Sequence, residues 1–162
     1  MASTMRDLVR VIGSLRKRKQ KHIGVIVDGP NILRKEISVD LLEIKRKLSA
    51  YGRIRYAKVI LDKHAPSKLV EAVNNAGFEA IISQGKVEVE FTIESMDIIY
   101  DSEIDIITLV TRSAGFLPLI YKAKHFGKEV YVIGAEPGFS IALRNAADKV
   151  IMLHGQNNSG IK

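Results

Sequence analysis

Six short apolar runs, most rich in β-branched residues, recur along this chain, and a segment with helical spacing separates each from the next. The runs are Ile23–Val27, Ile54–Leu61, Phe78–Ser83, Ile106–Thr111, Glu129–Ile133 and Val150–Leu153. The first is continuous rather than alternating, as in a strand buried on both faces. Asp40–Ser49 places Leu41, Leu42, Ile44 and Leu48 at helical spacing, stopped near Gly52. Further helices are predicted over Ser67–Asn75 (entered through Pro66, closed by Gly77), Phe91–Tyr100, Phe116–Phe126 (ended by Gly127) and Ser140–Ala147. Strands alternating with helices predict an α/β fold: three α/β/α layers around a mostly parallel, Rossmann-like sheet with right-handed crossovers. The chain's 162 residues suit one such domain.

Charge divides the chain further. Residues 1–22 carry net +6 of the total +7, so a nearly neutral domain (23–153) follows a basic arm (1–22). A Gly/Asn/Ser-rich tail (154–162), expected to fray, closes the chain. Within the arm, Leu8, Ile12 and Leu15 share a helical face, and Arg16, Lys17, Arg18 and Lys19 follow. Such a helix suits nucleic acid, an acidic partner or an anionic membrane surface; a solvated helix or disordered tail is the plain alternative. Positions 34–68 hold ten basic and four acidic side chains, whereas 86–105 hold seven acids against Lys86 alone.

Several function classes are excluded. The chain has no cysteine, so disulfides, thiolate zinc sites, iron–sulfur clusters and thiol catalysis are absent. No apolar run approaches the roughly 20 residues that cross a bilayer, and the chain reads as cytoplasmic. Neither a P-loop nor a G-x-G-x-x-G motif follows the first strand, which argues against nucleotide hydrolysis and dinucleotide binding. A response-regulator phosphoacceptor would end the third strand in Asp, where this chain has Ser83-Gln84.

Parallel α/β sheets bind ligands at the carboxyl ends of their strands. Asp28 sits there, directly after the first strand and within Asp28-Gly29-Pro30-Asn31. Its carboxylate could hold a metal ion, accept a phosphoryl group or act as a base, with Asn31 as hydrogen-bonding neighbour; a helix-capping turn is the plain alternative. Glu88, Glu90, Glu94 and Asp97 form an acidic group, of which Glu90, Glu94 and Asp97 follow i, i+4, i+7. Like charges at that spacing repel, which is tolerable in solvent and useful around a cation such as Mg²⁺ or Mn²⁺. Arg34, Lys35, Lys63 and Arg112 fall in or near strand-end loops and could follow a phosphate backbone.

Four motifs carry a resemblance: Val25–Asn31 (VIVDGPN), Lys86–Glu94 (KVEVEFTIE), Leu109–Leu119 (LVTRSAGFLPL) and Gly127–Gly134 (GKEVYVIG). In order and spacing the chain from Ile23 to Leu153 resembles the NYN domain family, the LabA-like branch of the PIN-like nucleases, and is most similar to its archaeal members. The resemblance implies a ribonuclease that uses Mg²⁺ or Mn²⁺ held by acids at the sheet's carboxyl edge, with RNA as the expected partner and DNA as a second possibility. Matched position by position, Asp28 takes the place of the first-strand aspartate and Asn31 that of the following asparagine. Glu88 and Glu94 fall where the family has two aspartates six positions apart, so Asp28, Glu88 and Glu94 are the implied metal ligands. The family's third motif reads Ser/Thr-x-Asp-x-Asp-Phe; here Thr111 keeps its place while Ser113 and Gly115 replace both aspartates. Three readings follow: a pseudo-nuclease that still binds nucleic acid, an enzyme of reduced activity resting on Asp28, Glu88 and Glu94, or an enzyme inactivated by substitution. A non-catalytic protein-interaction module that uses the arm is the alternative from another class, with a homo-oligomer as a further possibility.

Overall fold

A computed structural model describes residues 2–14, 19–33 and 39–153. Its elements run α1 (Ala2–Ser14), β1 (His22–Asp28), α2 (Gly29–Ile32), α3 (Leu41–Ser49), β2 (Arg53–Leu61), α4 (Ser67–Asn75), β3 (Glu79–Ile82), α5 (Val87–Tyr100), β4 (Ile106–Val110), a 3₁₀ turn (Ala114–Phe116), α6 (Leu117–His125), β5 (Glu129–Ala135), α7 (Ile141–Ala146) and β6 (Lys149–Leu153). The six strands form one sheet in the order β3-β2-β1-β4-β5-β6, every neighbouring pair parallel. The order reverses direction between β1 and β4, which makes their carboxyl ends the topological switch point.

Pleating sends alternate side chains to opposite faces, and each face has its own core. Val25, Val27, Val59 and Leu61 pack with Ile32, Ile44, Leu48 and Val73, so α2, α3 and α4 cover one side. Ile26, Ile60 and Leu109 pack with Phe91, Ile98, Ile120 and Leu143, so α5, α6 and α7 cover the other. Both faces of β1 are therefore dry, which is why its sequence is continuously apolar. Asp28 follows Ile26 by two residues and points to the α5 side.

Two glycines set the spacing of the layers. A Cβ at Gly24 would lie 2.4 Å from Ile98 Cγ2, so a side chain there would push α5 off the sheet. A Cβ at Gly29 would lie 2.4 Å from the carbonyl oxygen of Ile60, so the turn into α2 can hug β2 only as glycine.

The structure corrects the predicted elements in three places. α5 begins at Val87, four residues earlier than its helical spacing suggests, because Val87 and Phe91 both pack inward while Glu88 and Val89 face out. That puts Glu88 on the same helix as Glu94. The predicted helix 116–126 divides into the 3₁₀ turn and α6, with Pro118 in the first turn of α6. α2 is a single turn that hydrophobic periodicity is too coarse to register.

Candidate active site at the switch point

Asp28 ends β1, fully buried. Its Oδ2 accepts two hydrogen bonds, from Asn31 Nδ2 (2.7 Å) and from Thr111 Oγ1 (3.0 Å). Asn31 reaches back because α2 turns the chain within three residues. Thr111 reaches across because it directly follows β4, the strand beside β1. Thr111 Oγ1 in turn accepts from Ser113 N–H (3.2 Å), so one short chain of hydrogen bonds ties β1, α2 and the post-β4 loop together. Asp28 Oδ1 is buried and has no partner. Burial raises the Asp28 pKa above the ordinary carboxylate value; the bonds from Asn31 and Thr111 oppose the shift, and the negative charge of Glu88 adds to it. A buried carboxylate with a free oxygen is a poised acceptor of a proton, a cation or a donor group.

The neighbouring positions do not complete a carboxylate cage. Glu88 is exposed in the first turn of α5 and acts on Asp28 through its charge. Glu94, a turn and a half further along α5, is half-buried and paired to Lys58 on β2 through a short ion-paired hydrogen bond. Ser113 serves locally: its Oγ accepts from Gly115 N–H (3.2 Å) and caps the 3₁₀ turn. Gly115 is exposed and offers no side chain. Among the described residues no three His, Asp or Glu side chains are placed to hold a metal ion. The donor set does not fit a carboxylate-held Mg²⁺ or Mn²⁺: one candidate ligand is already neutralised, and two positions carry no carboxylate.

Lys58 was not evident as a site residue in the sequence. The available signal was a lone lysine in register with Tyr56 and Ile60, on the strand face that packs under α5. On that face a cation needs an anion, and Glu94 supplies it.

The predicted cationic positions fare unevenly. Arg112 is half-buried. Its Nη1 donates to the Pro137 carbonyl in the loop after β5, while its Nε is buried without a partner. Lys63 and Lys19 are exposed. Arg16, Lys17, Arg18, Arg34 and Lys35 lie outside the described residues. No helix among the described residues is long and apolar enough to cross a membrane.

A family model described as the NYN domain matches residues 22–154. The uncharacterized protein MJ0482 of Methanocaldococcus jannaschii is 50% identical over 145 residues, covering 89% of this chain and 60% of its own length. The chain therefore spans less than two thirds of that relative. A protein of unknown function from Vibrio parahaemolyticus, VPA0982, shares the fold with a TM-score of 0.74 over 86% of this chain and 97% of its own, at 18% identity.

Proposed function

Since the chain belongs to the NYN domain family, a family of nuclease-like fold, we propose that it is an RNA-directed member whose nuclease-type crevice binds its substrate but is impaired in cleavage. One observation carries the reading. Asp28 stands buried at the switch point with an unpartnered oxygen, while the positions that would surround it with negative charge hold Ser113, Gly115 and a Glu94 already paired to Lys58. A divalent ion held by a full set of acids would neutralise the charge that grows on the phosphodiester and activate water; this donor set does not fit such an ion.

What remains suits recognition. Exposed Lys63, Arg112 and the cations of the stretch 34–68 that are not tied up in ion pairs, as Lys58 is, offer charge to a phosphate backbone, giving affinity that falls with salt and depends little on sequence. Asp28 is then a structural and hydrogen-bonding centre that holds Asn31 and Thr111 where β1 and β4 diverge.

The test compares this chain with a Ser113→Asp/Gly115→Asp variant on labelled single-stranded RNA with Mn²⁺ or Mg²⁺. Aspartate caps as serine does, and a Cβ at 115 meets only the side chain at 113, a tight 3.2 Å from Ser113 Oγ that a rotation of that side chain relieves. The expected result is that the variant cuts, that this chain binds without cutting, and that Asp28→Asn in the variant abolishes cleavage. Equal cleavage by both would overturn the account of the missing acids. Failure of this chain to retain RNA at low salt would overturn the binding reading.

A further inference from the structure

Helix α5 is apolar on two sides. Its inner side, Phe91, Ile98 and Ile99, is buried in the core. Its outer side carries Val89, Ile93 and Tyr100, each more than half exposed, with the partly buried Met96 between them. The spacing 89, 93, 96, 100 is i, i+4, i+7, i+11, a single stripe along the helix. Phe126 extends the stripe, edge-on to Tyr100 with ring centroids 5.1 Å apart. Glu90 and Asp97 line one flank. A helix apolar on both sides is ordinarily covered on both, and here the outer stripe lies open.

The chain holds a second open apolar face of matching size and opposite charge. Met5, Leu8 and Val9 of α1 are also each more than half exposed and follow i, i+3, i+4. Arg6 and Arg10 flank them, and with Asp7 the helix carries a net charge of +1. α1 has 13 residues and α5 has 14, so both are about 20 Å long at 1.5 Å per residue.

We propose that α1 of one copy docks on the α5 stripe of a second copy, and the reverse, giving a two-fold dimer held by exchanged helices. Such an isologous arrangement closes both open faces at once. Met5, Leu8 and Val9 supply the apolar contact against Val89, Ile93 and Tyr100. Arg6 and Arg10 meet Glu90 and Asp97 at the rim, where charge sets orientation and partner choice more than affinity. The occupant is a second copy because α1 leaves its apolar face exposed in the single chain.

Sedimentation velocity of the full chain over about a hundredfold concentration range, spanning a micromolar Kd, reads the mass directly. The expected species is twice 18.0 kDa. Leu8→Glu and Ile93→Glu are both exposed changes that leave the fold intact by circular dichroism. Each is expected to weaken the dimer at least tenfold. Mixing the two variants is expected to restore a dimer with half the contacts, because each retains the helix the other has lost. Arg6→Glu/Arg10→Glu weakens association, and adding Glu90→Lys/Asp97→Lys recovers it. A monomer at every concentration overturns the proposal, including one whose α1 is protected by docking on its own domain. So does a dimer indifferent to both single substitutions. If the arginine changes alter only RNA retention and never the mass, α1 serves nucleic acid and the proposal fails while the proposed RNA-directed function stands.

Discussion

Gly24→Ala isolates the contact that seats α5, and with it Glu88 and Glu94, against the sheet. Gly24 lies in β1 between β2 and β4, at a register shift in its pairing with β2. The new Cβ would sit 2.4 Å from Ile98 Cγ2 but 3.5 Å from Ile98 Cβ and Cδ1. Carbon atoms rest at about 3.5–4.0 Å, so a single methyl is at fault, and it is short by more than an ångström. That methyl belongs to a β-branched residue in a helix, where χ1 is stiff, so either α5 retreats or Ile98 strains. Overpacking of this kind costs about 1–3 kcal/mol. Without the clash the same change would stabilise by about 0.5–1 kcal/mol, since glycine in a strand gives up more chain entropy than alanine. Ile98→Ala, at a buried site, costs about 2–5 kcal/mol alone, and it removes the offending methyl. In that background Gly24→Ala should turn neutral or stabilising, giving a coupling of about 1–3 kcal/mol. Urea unfolding of the four proteins, followed by circular dichroism, measures it. Additivity within about 0.5 kcal/mol, the behaviour of independent sites, would refute the reasoning.

Three further outcomes are expected. The Asp28 pKa is raised, so as pH climbs above the ordinary carboxylate value the unfolded chain loses its proton first and stability falls until the folded value is passed. Asp28→Asn removes that dependence, so its melting temperature relative to the parent should be more favourable at pH 7 than at pH 3; an equal difference at both would show that Asp28 folds without a penalty on its charge. Lys58→Met leaves the half-buried Glu94 without its cation and should cost about 2–4 kcal/mol, whereas Lys58→Met/Glu94→Gln should recover most of the loss; thermal melts of both settle whether the pair acts as a unit. Thr111→Val removes the bond to Asp28 Oδ2 and the acceptor for Ser113 N–H, and should cost about 1–3 kcal/mol in denaturant unfolding while leaving the m-value unchanged.

The strand-helix alternation determined most of this molecule. Each apolar run was short and bounded by turn residues, and most were rich in β-branched side chains; those local signals are enough to place strands and to imply a parallel sheet. Asp28, Asn31 and Thr111 were legible as a group because sheet topology forces the carboxyl ends of β1 and β4 together whatever the loops do. Ser113 and Gly115 were legible as departures, since a motif frame shows which side chains are missing.

Other features exist only in three dimensions. That Glu94 is held by Lys58 depends on α5 crossing β2 36 positions further along the chain, and no local pattern marks that pairing. The early start of α5 follows from Val87 and Phe91 finding the core, against the repulsion of the acids between and beyond them. The outer stripe of α5 is invisible to periodicity because its inner side is equally apolar, and a helix apolar on two sides has no preferred face until a sheet claims one. Local sequence sets which elements form. Only their packing decides which charges meet and which faces stay open.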